Sequence, residues 1–113
     1  MRGLEGKVAI VPGGATKIGR AVVAAFAARG TRVMVADIAE APDLPGGAAF
    51  RRCDLRDDAA VAALVAATKE RMGRIDFLVN VACSYLDDGP ASTRAQWLES
   101  FDVNLVGSVV LMQ

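Results

Sequence analysis

The sequence predicts an α/β fold, a doubly wound parallel sheet, from three observations. Short β-branched runs alternate with longer segments of helical period, as βαβ units require. A glycine-spaced turn, Val11 to Gly19, joins the first apolar run to the first helical one. An acidic residue, Asp37, closes the second apolar run 18 residues after Gly19.

Each element follows from its local pattern. The first strand is predicted at Lys7 to Val11 and the first helix at about Lys17 to Arg29, with Ile18, Val22 and Phe26 at helical spacing and Gly30 as its stop. The second strand spans Arg32 to Ala36. Pro42, Pro45, Gly46 and Gly47 then make a loop too rich in breakers for a helix. A third strand near Ala49 to Cys53 leads into the best-marked helix. Asp54, Asp57 and Asp58 suit its positive end, Val61, Leu64, Val65, Thr68 and Met72 form one stripe, and Lys69, Arg71 and Gly73 suit its finish. The fourth strand is predicted at Ile75 to Val79, ending at Asn80. After a loop from about Val81 to Ser92, Thr93 and Gln96 read as a capping box for a helix running toward Gln113. Its first half is amphipathic, with Trp97 and Phe101 four apart. Its second half is apolar nearly all round, through Val103, Leu105, Val106, Val109, Val110, Leu111 and Met112, which predicts burial on several sides, against the sheet and against a further surface that these 113 residues are not expected to supply.

Composition narrows the function. A chain of 113 residues buries about two thirds of its unfolded surface, enough for one core, so one domain is expected. Thirteen basic residues balance thirteen acidic ones, which argues against nucleic acid or an anionic membrane surface as partner. Small molecules or further copies of the chain are the expected partners. No apolar run approaches the roughly 20 residues that span a bilayer, and the mixed charges of Met1 to Lys7 do not suit a signal peptide. A cytoplasmic protein is expected. Cys53 and Cys83 lack metal-ligand spacing and histidine is absent, so no metal site is expected and Cys83 reads as a small buried thiol rather than a nucleophile.

The glycine turn suggests its chemistry. Gly13 can take the positive φ of a tight turn, and Gly19 lacks the Cβ that would hold the helix off the strand. The intervening N–H groups then face an anion such as a pyrophosphate, aided by the helix macrodipole. Asp37 can accept both hydroxyl protons of an adenosine ribose. The combination points to a dinucleotide. Lys17 reads either as a phosphate partner, including a 2′-phosphate, or as an exposed first-turn cation. Asp54 reads as a helix cap compatible with an adenine contact, and Asn80 as a tie for backbone groups at the strand end. Asn104, within an apolar helix, needs a partner for its amide. Two rival readings stand beside this one: a methyltransferase-like sheet holding an adenosyl ligand, and a noncatalytic nucleotide sensor or interaction module.

These residues resemble the short-chain dehydrogenase/reductase family, and the resemblance covers the whole chain. Pro12-Gly13-Gly14-Ala15-Thr16-Lys17-Ile18-Gly19 matches the family's T-G-x-x-x-G-x-G, Asp37 its acidic residue after the second strand, and Asp54-Leu55 its adenine-contacting aspartate. Asn80-Val81-Ala82-Cys83 is similar to its N-N-A-G turn, and Asn104 to the asparagine of its catalytic tetrad. The resemblance implies a Rossmann fold of strand order 3-2-1-4, with NAD, in preference to NADP, across the carboxyl ends of the strands. It further implies cofactor contacts from Gly13, Ala15, Thr16, Lys17, Ile18, Gly19, Asp37, Ile38, Asp54, Leu55, Asn80, Val81 and Ala82. Hydride transfer between an alcohol and a ketone, and a homodimer or homotetramer built on the last helix, belong to the same expectation.

Departures from the pattern matter too. Pro12 replaces threonine, which is expected to be tolerable because strand pairing ends there. Lys17 replaces the middle glycine, and Val81 and Cys83 replace an asparagine and a glycine. The only tyrosine, Tyr85, has Gly89 four residues on where the family has lysine. The tetrad's serine, tyrosine and lysine are therefore expected beyond Gln113, with this chain supplying cofactor binding and little turnover. Tyr85 and Leu86 hint at an apolar substrate wall.

Overall fold

The structure, a computed structural model, describes residues 3–39, 44–46, 48–81 and 90–113. The expectations for Pro42, Gly47, Ala82, Cys83, Tyr85, Leu86 and Gly89 lie outside the described residues. Four strands, β1 (Val8–Pro12), β2 (Arg32–Asp37), β3 (Ala48–Arg52) and β4 (Phe77–Leu78), form one parallel sheet in the order β3-β2-β1-β4. This is the predicted order. Helices α1 (Lys17–Ala28) and α2 (Asp58–Met72) make the crossovers, and α3 (Arg94–Phe101), a π-helical turn (Asp102–Val106) and α4 (Gly107–Met112) follow.

Strand β1 is buried at every position, and the two cores explain why its sequence is a continuous apolar run. Val8 and Ile10 face one side, where they join Met34, Leu64 and Leu111 beneath α2 and α4. Ala9 and Val11 face the other, where Val33, Val35 and Val23 of α1 pack. Phe26 reaches Phe77 across this second core with ring centroids 6.2 Å apart. Each face of β1 thus has its own helix layer, the arrangement that fixes the sheet as doubly wound.

The helix ends follow local chemistry. Asp57 caps α2, accepting the N–H groups of Ala59 and Ala60, and Gly73 closes it at φ 83°. Asp54 does not cap the helix, contrary to expectation, because its carboxylate is taken by the N–H and guanidinium of Arg56. The predicted α2 stripe is buried at Val61, Leu64, Thr68 and Met72, and the Thr68 hydroxyl is satisfied by Leu64 O at 2.7 Å. On α1 the buried pair is Gly19 and Val23, whereas Ile18 is 70% exposed, so the predicted stripe is rotated by one residue at its start.

Three further expectations change. Pairing does not end before Pro12: Pro12 lies level with Ala36, and the next N–H, Gly13, still bonds Ala36 O at 2.7 Å. The proline is accommodated because alternate residues of β1 serve alternate neighbours, and Pro12 faces β4, where its carbonyl accepts the Val81 N–H. Strand β4 itself is only two residues long, although Asp76, Val79 and Val81 continue its bonding to β1. Finally, the Thr93–Gln96 capping box is present, but the helix it starts is not uniform. At its centre the Gly107 N–H reaches back five residues to Asp102 O, a π turn that holds one residue more than an α turn.

The last helix is covered on one side. Leu111 is buried, in the core that α2 also covers, but Leu105, Val106, Val109 and Met112 are exposed. Gly107 provides the seat. A Cβ there would come within 2.6 Å of Leu55 O, so the helix backbone rests directly on the loop after β3. Gly107→Ala is therefore expected to cost about 1–3 kcal/mol by overpacking. Urea denaturation measures it; an unchanged midpoint would show that the helix is not seated on Leu55.

Candidate functional site

Parallel pairing brings the carboxyl ends of the strands to one edge of the sheet. Pro12 is level with Ala36, Asp37 with Arg52, and Val81 is bonded to Pro12, so the turn after β1, the end of β2 and the end of β4 share that edge. The chain winds to opposite sides on leaving β1 and reaching β4, which makes this the crevice where open α/β sheets bind ligands.

The turn after β1 is built on two glycines. Gly13 has φ 82°, a left-handed conformation that suits glycine. A Cβ on Gly19 would lie 2.0 Å from Gly13 O, so the first turn of α1 packs against the turn backbone. Thr16 completes the structure as N-cap: its hydroxyl donates to Gly13 O at 2.9 Å and accepts the Gly19 N–H at 3.0 Å. The helix ladder begins with Arg20, whose N–H bonds Thr16 O. The N–H groups of Lys17 and Ile18 are left with no intrahelical acceptor, at the positive end of the macrodipole. These are the donors an anion would meet. The Lys17 and Ile18 side chains are exposed at the same mouth.

Asp37, at the end of β2, is joined to this turn. One carboxylate oxygen accepts the Ala15 N–H at 3.2 Å and the other the Ala39 N–H at 3.1 Å. Ala15 O in turn accepts from Arg20 Nε at 3.1 Å. Ile38, 63% exposed, follows Asp37 at the rim. The sequence pattern identified Asp37 but not Arg20, nor the capping role of Thr16. A Ser/Thr immediately before a helical run is a readable cap signal for Thr16; Arg20 had none. Gly14 was also passed over, yet a Cβ on it would meet Val35 at 2.6 Å.

After β3, Leu55 is buried and Asp54 is half-exposed. Hydrogen bonds from the Arg56 side chain hold the Asp54 carboxyl below its ordinary value of 3.8, and the same contact raises the Arg56 guanidinium further. Arg56 also pairs with Glu99 of α3, tying this loop to the helix that leads into Asn104. Asn104 lies in the π turn with an exposed side chain, so the expected cost of burying its amide does not arise. Asn80 is likewise exposed, and Val81 is half-buried. Cys53 is buried, which pushes its thiol up, with Asp54 adding to the shift. Among the described residues no cluster of three or more histidine, cysteine or acidic side chains is placed to hold a metal ion, and no helix is long and apolar enough to cross a membrane.

Comparison with known proteins follows this geometry. The family model described as short chain dehydrogenase matches residues 7–113. The chain is 35% identical to D-threitol dehydrogenase of Mycolicibacterium smegmatis over 120 residues, covering 97% of this chain and 46% of that protein. It is 36% identical to sorbitol dehydrogenase of Cereibacter sphaeroides, covering 97% and 46%. Among solved structures, aldohexose dehydrogenase of Thermoplasma acidophilum superposes with a TM-score of 0.85 at 28% identity, covering 96% of this chain and 42% of that one. The chain therefore spans about half the length of the curated relatives it matches.

The Gly19 contact leads to a direct expectation. Gly19→Val places a branched side chain where Gly13 O stands and is expected to destabilise the fold by about 1–3 kcal/mol or more. Thermal melting checks this, and a variant melting with the parent would show that α1 does not approach the turn so closely.

Proposed function

The chain belongs to the short-chain dehydrogenase family, and on that premise we propose that it is the cofactor-binding part of an NAD-dependent oxidoreductase that interconverts an alcohol and a ketone. Membership sets aside the methyltransferase-like alternative. The observation that carries the cofactor reading is the convergence of the glycine turn, the Lys17 and Ile18 N–H groups and Asp37 at one sheet edge. The residues fit a dinucleotide. The close turn leaves room for a pyrophosphate against backbone, and Asp37 presents carboxylate oxygens for ribose hydroxyls.

When bound, the nicotinamide dinucleotide supplies or accepts the hydride. The chain's own residues bind and orient it. The turn from Gly13 to Gly19 holds phosphate through backbone donors, Asp37 and Ile38 hold the adenosine end, and Asp54, Leu55, Asn80, Val81 and Ala82 line the remaining contacts of this reading. Asn104 belongs to the proton-handling group, with the serine, tyrosine and lysine of that group supplied from sequence outside these 113 residues. Relatives named for D-threitol and sorbitol support a small alcohol as substrate. A cytoplasmic location belongs to the same reading.

The exposed apolar side chains of the last helices support a further part of it. Trp97, Leu98, Phe101, Leu105, Val109 and Met112 are each 40% exposed or more, a patch that favours contact with another subunit. We assign it to a homodimer or homotetramer. Light scattering is expected to show a mass above the monomer, reduced by Phe101→Glu; a monomeric parent would oppose the assignment.

Cofactor preference is the sharpest test. The Asp37 carboxylate repels a 2′-phosphate and accepts from a free 2′-hydroxyl, so NAD is expected to bind at least about tenfold more tightly than NADP, roughly 1.4 kcal/mol. Parallel calorimetric titrations decide it. Tighter NADP binding, abolished by Lys17→Ala, would transfer the recognition to Lys17.

A further inference from the structure

Ala15 in the turn after β1 is held on both sides of its Cα. Its N–H, in the peptide from Gly14, donates to the Asp37 carboxylate at 3.2 Å, and its carbonyl, in the peptide to Thr16, accepts from Arg20 Nε at 3.1 Å. Asp37 comes from the end of β2 and Arg20 from the first turns of α1, so the two grips reach Ala15 from different elements. Neither side chain is held only by this turn. Asp37 is anchored by the Ala39 N–H on its second oxygen, and Arg20 by its place in the helix ladder, its N–H bonded to Thr16 O.

The neighbouring peptides are fixed by other bonds. Gly13 N–H goes to Ala36 O, Gly14 N–H to Val11 O, and Thr16 N–H to Gly13 O. At Ala15, by contrast, the N–H and the carbonyl both bond charged side chains. A charge-assisted bond is roughly twice as strong as a neutral one, so the two side chains add to the one backbone bond, Thr16 N–H to Gly13 O, in fixing the peptides on either side of Ala15. Their orientation matters because Ala15 immediately precedes Thr16, the N-cap, after which the Lys17 and Ile18 N–H groups follow.

We propose that Asp37 and Arg20 are positioning residues of the phosphate turn, clamping the two peptides that flank the Ala15 Cα, and that Asp37 consequently serves anion binding as well as ribose recognition. This deepens the cofactor reading above and rests on it. The clamp makes a specific claim: removing the Asp37 carboxylate weakens ligands that have no ribose hydroxyl for it to accept.

The test uses a ligand of that kind, 2′,3′-dideoxyadenosine diphosphate, beside NAD. Both are titrated into the parent, Asp37→Ala, Asp37→Asn and Arg20→Ala, and amide hydrogen exchange at Ala15 is followed in each protein without ligand. The clamp predicts that Asp37→Ala weakens the dideoxy ligand about fivefold, the scale of one hydrogen bond, and that Asp37→Asn, which retains an acceptor oxygen, recovers part of the loss. Arg20→Ala, at an exposed helix position, weakens it in the same direction while keeping the parent's discrimination between NAD and NADP. Ala15 exchange accelerates in Asp37→Ala. If Asp37→Ala binds the dideoxy ligand as the parent does, with Ala15 exchange unchanged, the clamp is overturned and Asp37 reads the ribose alone. If the parent binds neither ligand yet Ala15 exchange still accelerates in Asp37→Ala, the clamp stands as a feature of the fold and the cofactor reading fails. Should Asp37→Ala unfold, Asp37→Asn and Arg20→Ala carry the comparison, and parent-like affinity and exchange in both would overturn the proposal.

Discussion

The contact between Gly19 and Gly13 governs the organisation of this molecule. With the place of a Gly19 Cβ only 2.0 Å from Gly13 O, the first turn of α1 lies against the end of β1, and the direction of the whole helix follows. That direction brings Val23 into the core with Val11 and Val35, which buries one face of the sheet. It also forces the short turn in which Thr16 can both cap the helix and bond Gly13 O. Packing and site geometry therefore share one cause. A side chain at Gly19 would disturb the hydrophobic layer and the Lys17 and Ile18 N–H groups of the first helical turn together.

A second anchor lies after β3. Gly107 rests on Leu55 and Glu99 pairs with Arg56, so consecutive residues of one loop hold the last helix by shape and by charge. The ion pair is partly exposed and contributes modestly to stability. Its value is in register: together with the Gly107 seat it fixes which side of the helix meets the loop, and hence where the π turn carrying Asn104 falls.

Much of this was legible in the sequence. The strands were readable because β1 and β2 are covered on both faces, which turns a strand into an unbroken apolar run. Gly13, Gly19 and Asp37 were readable because each answers a steric or electrostatic demand specific to its position. Helix phase at the ends was harder. Ile18 looked like a core residue by spacing, but the close approach of Gly19 rotates the buried side by one position. Asp54 looked like a cap, but Arg56 two residues on is a stronger partner than a helix N-terminus. The π turn left no local mark, and the Gly107 that closes it meets Leu55, a contact distant in sequence that no local pattern records. The Asp37–Ala15 and Arg20–Ala15 bonds were hidden for the same reason: backbone acceptors and donors carry no side-chain signature. The apolar last helix was legible in composition, but which of its sides is covered was not, because periodicity reports a surface that wants cover and not which neighbour provides it.

The π turn also has a meaning for how this chain is aligned with others. An added residue is taken up within Asp102–Val106 without breaking the helix, so a length difference can hide in a segment where gaps are ordinarily disallowed. Each residue turns an α-helix by about 100°, so the extra residue of the π turn shifts the phase of Val109 and Met112 relative to Trp97 and Phe101.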